Sequence, residues 1–351
     1  MTQSSLARPP VTPVAASLDT FRSAARVMPT DPRVVERIAE VQSLVGDELE
    51  WVEFRLAEIC AQGTKPATNA AKHLVERGGK RVRPLTTLLS AGCFGPVPAS
   101  ARTLAMVAEL VHSATLLHDD VADEGTERRG IRTARLVYGN AVSVLAGDLL
   151  LVHALERTLV EVPDALPDLL CTLRLLVDGE VIQLRGRTEL DVRESTYDQV
   201  LRGKTASLFA WAARAGARSS HASPDDVERM GVFGEQLGIA FQLVDDILDY
   251  EGGTGKTSLA DLREGKLTLP LVLAVAAQPD LLPLVRSIHA GDLEPVQYLS
   301  RKVLASGACD IVRERAGAVT ELAIGTLRPI ASSPAKDLLV DVARELTSRV
   351  G

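Results

Sequence analysis

The segment LAMVAELVHSATLLHDDVAD, residues 104–123, is an apolar stretch that ends in three aspartates with DDxxD spacing. A second segment of the same design, GEQLGIAFQLVDDILDY at residues 234–250, carries another DDxxD near its end. Apolar residues that recur every three or four positions predict amphipathic helices. Because positions i and i+4 share one face of a helix, the first and last aspartates of each motif should project together.

The same helical period continues through most of the chain. It follows Asp31-Pro32, a predicted N-cap and first helical residue, and it resumes from Ser100 and from Ser223-Pro224. The sequence shows neither a series of alternating strands nor a repeat of about 20 to 50 residues. The pattern therefore predicts an all-α fold with many helices around a central cavity.

The chain has 351 residues, enough for one large domain. Residues 1–30 contain several prolines among small and polar residues, which predicts a flexible leader. We therefore expect residues 31–351 to form a single all-α domain.

Composition narrows the functional classes. A formal net charge of −7 argues against nucleic-acid binding, which needs a basic surface. No signal peptide opens the chain, and its most apolar stretch, Ala141 to Leu155, is too short to span a bilayer. Widely separated cysteines predict free thiols in a reducing, cytoplasmic setting. They are Cys60, Cys93, Cys171 and Cys309.

Clustered carboxylates repel one another unless cations compensate them. Carboxylate oxygens suit hard ions, and Mg²⁺ commonly bridges a few carboxylates to substrate phosphates. Two such helices facing across a cavity would hold Mg²⁺ ions with a diphosphate between them. A single DDxxD is as easily a solvated acidic helix end, but two copies that each end an apolar stripe favour the metal site.

Basic residues near the aspartates could complete an anion site. GGKRVRP at residues 78–84 places three cations beside two glycines, and Arg128-Arg129 follows the first aspartate cluster after a short loop. His112 lies two helical turns before Asp119, on the same face. Taken singly, the basic pairs are more typical of a solvated surface, and the histidine is as easily a core residue.

The motifs in chain order resemble those of the trans-isoprenyl diphosphate synthases, especially the long-chain octaprenyl and heptaprenyl type, over about residues 35–345. They are GGKRVRP, HSATLLHDDVADEGTERRG, GEVIQL, KTASLF, GEQLGIAFQLVDDILDY and DLREGKLTLP. The resemblance implies an isoprenoid synthase type fold and a homodimer. It also implies Mg²⁺-dependent, head-to-tail condensation of isopentenyl diphosphate with an allylic diphosphate to give an all-trans product of geranylgeranyl length or longer.

The resemblance also assigns site residues. Coordination of three Mg²⁺ ions is implied for Asp119, Asp120, Asp123, Asp245, Asp246 and Asp249. The implied isopentenyl diphosphate site is Lys80, Arg83, His112 and Arg129. The implied allylic diphosphate site, in which Lys204 is also catalytic, is Arg128, Lys204, Thr205, Gln242, Lys256 and Lys266. The departing diphosphate takes up the released proton in this family, so no protein base is assigned.

The resemblance also bears on product length. A bulky aromatic residue five positions before the first aspartate stops chain growth early in this family, and here Ala114 and Thr115 are both small. We therefore expect a product longer than fifteen carbons, whose apolar chain allows transient membrane contact. One departure from the family pattern is Leu259, which stands where glycine is usual.

Two other readings remain open from the sequence. Class I terpene cyclases also ionise diphosphates through DDxxD, but they usually carry a different second metal motif and lack GGKRVRP. A non-catalytic partner subunit of a synthase is the other alternative, and such subunits tend to lose motif aspartates that this chain retains.

Overall fold

The computed structural model describes residues 32–252 and 259–348. The predicted leader, Asp31 and Lys256 therefore lie outside the described residues. In chain order the helices are α1 Pro32–Ile59, α2 Ala67–Val75, α3 Val82–Gly92, α4 Ala99–Ala122, α5 Ala134–Tyr138, α6 Asn140–Glu161, α7 Leu166–Glu189, α8 Glu194–Val200, α9 Ser207–Ser219, α10 Pro224–Glu251, α11 Ala260–Arg263, α12 Leu269–Ala277, α13 Leu282–His289, α14 Val296–Ala305, α15 Ala308–Thr326 and α16 Pro334–Ser348.

The described chain is helical almost throughout, which confirms the predicted all-α fold. Helix α10 starts at Ser223-Pro224 as predicted, and the Ser223 hydroxyl caps it by accepting a hydrogen bond from the backbone N–H of Asp226 at 3.2 Å. The predicted start of α4 was one residue late. The helix begins at Ala99 after an extended Pro98, so Ser100 lies within its first turn.

Two clusters of buried side chains form the core. The larger one contains side chains from each of the helices α1, α2, α3, α4, α6 and α9 and from the first half of α10. It includes the fully buried Phe209, Trp211 and Phe233. The smaller one joins the second half of α10 to α12–α15. Helix α10 contributes to both clusters, so the second aspartate motif lies on the helix that connects them.

A short hairpin interrupts the helices directly after the first aspartate motif. Strands β1 Glu127–Arg128 and β2 Ile131–Arg132 pair antiparallel through a two-residue turn at Arg129-Gly130. Both turn residues have positive φ, +53° and +75°, as the tight hairpin turn that matches strand twist requires. The hairpin fixes the position of Arg128-Arg129, which the sequence placed only as following a short loop after the first aspartate cluster.

A second irregular element is the single π-helical turn Leu201–Ala206 between α8 and α9. It contains Lys204 and Thr205, and π turns are frequently found at functional sites. Its backbone packs directly on α7, because a methyl group added at Gly179 would lie 2.6 Å from the backbone nitrogen of Lys204. Only glycine at position 179 allows this close approach.

All four cysteines are free, as predicted, and three of them are buried. Burial raises the pKa of the Cys60 and Cys93 thiols to about 12, so both are unreactive at neutral pH. Within residues 32–252 and 259–348, no single helix has the length and apolar character to cross a bilayer. One pair, α12 and the adjoining 279–289, passes that test jointly but is bent by 118°.

Candidate active site

The first aspartate cluster lies at the C-terminal end of α4, and its members pair with cations. Asp119 Oδ2 lies 3.4 Å from Lys204 Nζ, and Asp120 Oδ1 accepts a 2.6 Å hydrogen bond from Arg128 Nε. Burial raises the pKa of the Asp120 carboxyl despite that arginine. The carboxylates of this cluster are thus charge-compensated within the protein.

Asp123, at the end of the same motif, also contacts two cations. Arg187 NH1 donates to its Oδ1 at 2.7 Å, and Lys266 Nζ lies 3.1 Å from its Oδ2. Lys266 is shared with Asp261 at 3.2 Å and with Glu264 at 2.7 Å. Although burial acts in the opposite direction, these carboxylates raise the pKa of Lys266 well above its usual range.

Lys204 links the cluster to α7. Its Nζ lies 2.5 Å from Glu180 Oε2, and Glu180 follows the glycine on which the π turn packs. Burial works against the charge on Lys204, but Asp119 and Glu180 together raise its pKa, so it is a firm cation. Burial raises the pKa of Glu180 as well, against the attraction of the lysine.

The second aspartate cluster is on α10, and Asp246 is held by neutral donors. Its Oδ2 accepts from the Tyr197 hydroxyl at 2.7 Å and from the backbone N–H of Leu269 at 3.1 Å, while Oδ1 accepts from Gln242 Nε2 at 2.9 Å. Burial raises the pKa of Asp246 to about 7, although these donors favour the carboxylate. Asp245 is half-buried and Asp249 is buried.

The dipeptide Lys204-Thr205 connects the two clusters. Lys204 reaches Asp119, and the neighbouring Thr205 hydroxyl donates to Gln242 Oε1 at 3.1 Å. Gln242 in turn donates to Asp246. This chain of contacts between Asp119 and Asp246 agrees with the prediction that the two motifs meet around one site.

A cationic cluster lies beside these carboxylates. Burial lowers the pKa of the Arg83 guanidinium to about 10, and Glu109 offsets this only partly. Burial also lowers the pKa of Arg129, and burial together with the arginines, Arg83 first, lowers the pKa of His112 well below 6.5. Positive charge is therefore concentrated among these partly buried side chains, which is what a site for a multivalent anion requires.

Aromatic rings and backbone fix these cations in place. Arg83 stacks over the Phe209 ring at 4.5 Å, and Lys80 Nζ lies 5.5 Å from the centre of the Phe241 ring. Arg129 NH1 donates to the backbone carbonyl of Leu74 at 3.1 Å. A shallow surface depression lies next to this cluster, and Asp120, Arg128 and Arg129 are among its lining residues.

Several residues of this site were not assigned a role from the sequence. Three acidic residues lie inside the motifs GEVIQL and DLREGK, so the sequence could have identified them as site residues. They are Glu180, Asp261 and Glu264. Arg187 and Tyr197 offered none, because their partners Asp123 and Asp246 lie 64 and 49 residues away in sequence. Arg81 was grouped with the other cations of GGKRVRP, but it is engaged in buried ion pairs with Glu53 and Glu109.

The donor set suits a hard divalent cation. Asp120 Oδ2 is buried and accepts no hydrogen bond, and the ammonium groups of Lys204 and Lys266 already occupy positions between carboxylates where positive charge is favourable. Among the described residues, no three acidic, histidine or cysteine side chains converge into a complete metal site. Mg²⁺ held jointly by a few carboxylates, water and substrate phosphate does not need one.

A helical fold with two linked DDxxD clusters and a neighbouring, partly buried cationic cluster is typical of enzymes that handle prenyl diphosphates. The polyprenyl synthetase family pattern matches residues 64–301, more than half of the chain. The chain belongs to the polyprenyl synthetase family and is a chain-elongating prenyltransferase.

Relatives of known activity and structure agree with this assignment. An all-trans-nonaprenyl-diphosphate synthase (geranyl-diphosphate specific) of Rhodobacter capsulatus is 37% identical over 292 residues, 80% of this chain and 89% of its own length. The octaprenyl diphosphate synthase of Escherichia coli K12 is 32% identical and covers 89% of this chain and 99% of itself. A polyprenyl synthase of Caulobacter crescentus CB15, crystallised with calcium and isoprenyl diphosphate, superimposes with a TM-score of 0.83 at 34% identity, covering 89% and 98% of the two chains.

Proposed function

We propose that this enzyme condenses isopentenyl diphosphate with an allylic diphosphate to give an all-trans prenyl diphosphate of geranylgeranyl length or longer. The observation that carries the proposal is the pairing of two unlike anion sites. One consists of carboxylate clusters with interspersed lysines, and the other is a partly buried cluster of cations beside them. A reaction that joins two diphosphates needs both.

The allylic diphosphate is assigned to the carboxylate side, where Mg²⁺, three ions in our proposal, would be held by the aspartates of the two clusters other than Asp246. Bound Mg²⁺ supplies stabilisation of the negative charge that develops on the diphosphate. We give Asp246 a positioning role, because both of its oxygens already accept hydrogen bonds from protein donors. The residues proposed to contact the diphosphate from the protein are Arg128, Lys204, Thr205, Gln242, Lys256 and Lys266.

The chemistry follows from this charge arrangement. The allylic C1–O bond breaks and its electron pair leaves with the diphosphate, whose charge Lys204 and Lys266 help to balance. The double bond of isopentenyl diphosphate then forms the new bond from its C4 to the allylic C1. The proton lost from C2 passes to the released diphosphate, so the protein supplies no base. The apolar walls contributed by α4 and α9 exclude water from the carbocation.

Isopentenyl diphosphate is assigned to the cationic cluster of Lys80, Arg83, His112 and Arg129. The lowered pKa values of Arg83 and Arg129 indicate that a bound diphosphate would relieve unfavourable buried positive charge. This subsite needs no metal ion, because its own cations face the anion.

We propose Ala114 and Thr115 as part of the tunnel for the growing chain. Ala114 is fully buried on α4, five positions before Asp119, so a larger side chain there would narrow the space open to a growing chain. Replacing Ala114 with tyrosine should shorten the main product by at least one isoprene unit, which chromatography of the dephosphorylated product measures. An unchanged chain length would contradict this tunnel assignment.

We also propose a homodimer built on α6 and α7. Both helices expose apolar side chains at seven-residue spacing, the pattern of a helix–helix seam. These are Leu145, Val152 and Leu159 on α6 and Leu170, Val177 and Leu184 on α7. Light scattering should give a dimer for the wild type and a monomer for a Leu159→Arg, Val177→Arg double variant, and a monomeric wild type would contradict the interface. We place the enzyme in the cytoplasm.

The direct test of function incubates purified protein with labelled isopentenyl diphosphate, Mg²⁺ and allylic primers of ten, fifteen and twenty carbons. We expect elongated products from at least one primer. A cyclic hydrocarbon from the primer alone would instead indicate a terpene cyclase. No turnover unless a second polypeptide is added would indicate a partner subunit.

A further inference from the structure

Arg81 stands between two residues assigned to isopentenyl diphosphate, yet its surroundings differ from theirs. Its side chain is almost completely buried. Nε and NH2 donate to the Glu53 carboxylate of α1, the latter at 2.9 Å, and NH1 donates to Glu109 of α4. NH2 also approaches the backbone carbonyl of Val75 at 3.3 Å. Arg81 thus joins α1, α2 and α4 at one point.

The backbone of Arg81 is as constrained as its side chain. Its φ of +47° is left-handed, a conformation that is unfavourable for residues other than glycine. Helix α3 begins at the next residue, Val82, so this conformation sets the direction in which the helix starts. Arg83 lies in the first turn of α3 and Lys80 directly precedes Arg81, so both cations take their position from this point.

The two carboxylates also have an electrostatic effect of their own. Glu109 raises the pKa of Arg83 and of Arg129 against the effect of burial, so it lies among the cations of the proposed subsite. Judged by charge alone, Glu53 and Glu109 would repel a bound diphosphate. Their presence is therefore better explained by what they hold in place than by the charge they add.

We propose that Arg81, anchored by Glu53 and Glu109, is a positioning residue that orients Lys80 and Arg83 toward the diphosphate of isopentenyl diphosphate without contacting it. The inference rests on the isopentenyl subsite of the proposed function. It assigns a role to the cation of GGKRVRP that the subsite itself does not use.

The decisive variant is Glu53→Gln, because the two explanations predict different changes in its affinity for isopentenyl diphosphate. If Glu53 anchors Arg81, its loss should weaken the binding of isopentenyl diphosphate by about five-fold or more, since misplaced ligands lose affinity steeply. If Arg81 instead contacts the diphosphate, or if Glu53 acts only by its charge, removing this carboxylate should leave binding unchanged or tighten it. Glu53 is only partly buried, which favours a folded variant.

Binding is measured by titration calorimetry with isopentenyl diphosphate in EDTA, so that the metal site takes no part. Arg81→Lys keeps the charge but loses the forked contacts, and it should weaken binding in the same direction as Glu53→Gln. The double variant should bind no more than about two-fold more weakly than the weaker single variant, because both changes break one anchor. Arg229→Lys, at a half-exposed ion pair near the start of α10, is the matched control and should bind like the wild type.

Steady-state kinetics separates positioning from a general loss of structure. In both single variants the KM for isopentenyl diphosphate should rise while the KM for the allylic substrate stays within about two-fold of the wild type. Equal or tighter binding by Glu53→Gln would overturn the inference and leave the proposed subsite intact. Failure of the wild type to bind isopentenyl diphosphate in EDTA would overturn the subsite and the inference with it.

Discussion

The two proposed anion sites of this enzyme differ in how their cations are compensated by carboxylates. On the carboxylate side, burial lowers the pKa values of Arg128, Lys204 and Lys266, but the nearby carboxylates raise them by more. The net pKa of each of these cations is therefore raised. On the cationic side, burial lowers the pKa values of Arg83 and Arg129 because few carboxylates compensate them. The first site is already neutralised by its own lysines, whereas the second is short of negative charge.

This difference indicates how each site is filled. The cationic cluster can accept a diphosphate directly. In the proposed function the carboxylate clusters would hold metal ions in place of their lysine contacts, and the ammonium groups of Lys204 and Lys266 would then face the diphosphate. One site is therefore expected to be metal-independent and the other metal-dependent.

The largest expected effect comes from breaking the carboxylate side. Asp119→Asn removes the charge that faces Lys204 and should lower kcat by about 1000-fold or more, because transition-state charge stabilisation is lost. Asp198→Asn, at an exposed ion pair on α8, is the matched control and should retain wild-type activity. An Asp119→Asn enzyme with normal kcat would remove this residue from the metal site.

Chelation separates the two sites within one protein. With EDTA in excess, turnover should fall below about 1% of the Mg²⁺-supplemented rate, whereas the affinity for isopentenyl diphosphate should change by less than about three-fold. The paired readouts are product formation and calorimetry on the same sample. Parallel loss of both would mean that the cationic cluster also depends on metal.

A smaller effect is expected from shifting Lys204 without altering its charge. In Gly179→Ala the new methyl group would contact the backbone of Lys204, so we expect about ten-fold lower kcat and about 1–3 kcal/mol lower unfolding free energy. Gly317→Ala, within α15 and without neighbouring atoms, should be neutral or stabilising by up to about 1 kcal/mol. Urea unfolding and initial rates test both, and unchanged values for Gly179→Ala would show that the π turn tolerates displacement.

The smallest effect concerns pH on the cationic side. The pKa of His112 in the folded protein is well below the value of 6.5 expected when unfolded, so only the unfolded chain gains its proton near pH 6. Stability should therefore fall as the pH drops through 6.5, by about 1 kcal/mol from this residue between pH 7.5 and 5.5.

A variant isolates that contribution. Asp246, whose folded pKa is raised to about 7, acts in the opposite direction, but it is common to the wild type and to His112→Gln. The difference in unfolding free energy between the two proteins should therefore shrink or reverse toward low pH, as urea titrations measure. Parallel pH profiles would show that His112 does not carry the predicted shift.

Much of the site followed from local sequence, and the remainder depended on packing. Helical period and DDxxD spacing located both clusters, because a helix fixes which side chains share a face. The sequence could not show that Tyr197 and Leu269 N–H would hold Asp246, since such contacts arise only when distant helices pack. Nor could the sequence distinguish Arg81 from Lys80 and Arg83. The difference arises from the left-handed backbone at Arg81, which the sequence does not reveal. The same holds for Leu259, whose φ of +63° accounts for the glycine usual at that position.

The central claim is that both aspartate clusters gather divalent ions around one diphosphate. Crystals grown with Mn²⁺ and an unreactive allylic diphosphate analogue would test it by anomalous scattering. We expect peaks that bridge Asp119 and Asp123 of the first cluster, and Asp245 of the second, to the same diphosphate. Ions confined to one cluster, or a diphosphate bound without any ion between it and the aspartates, would contradict the account.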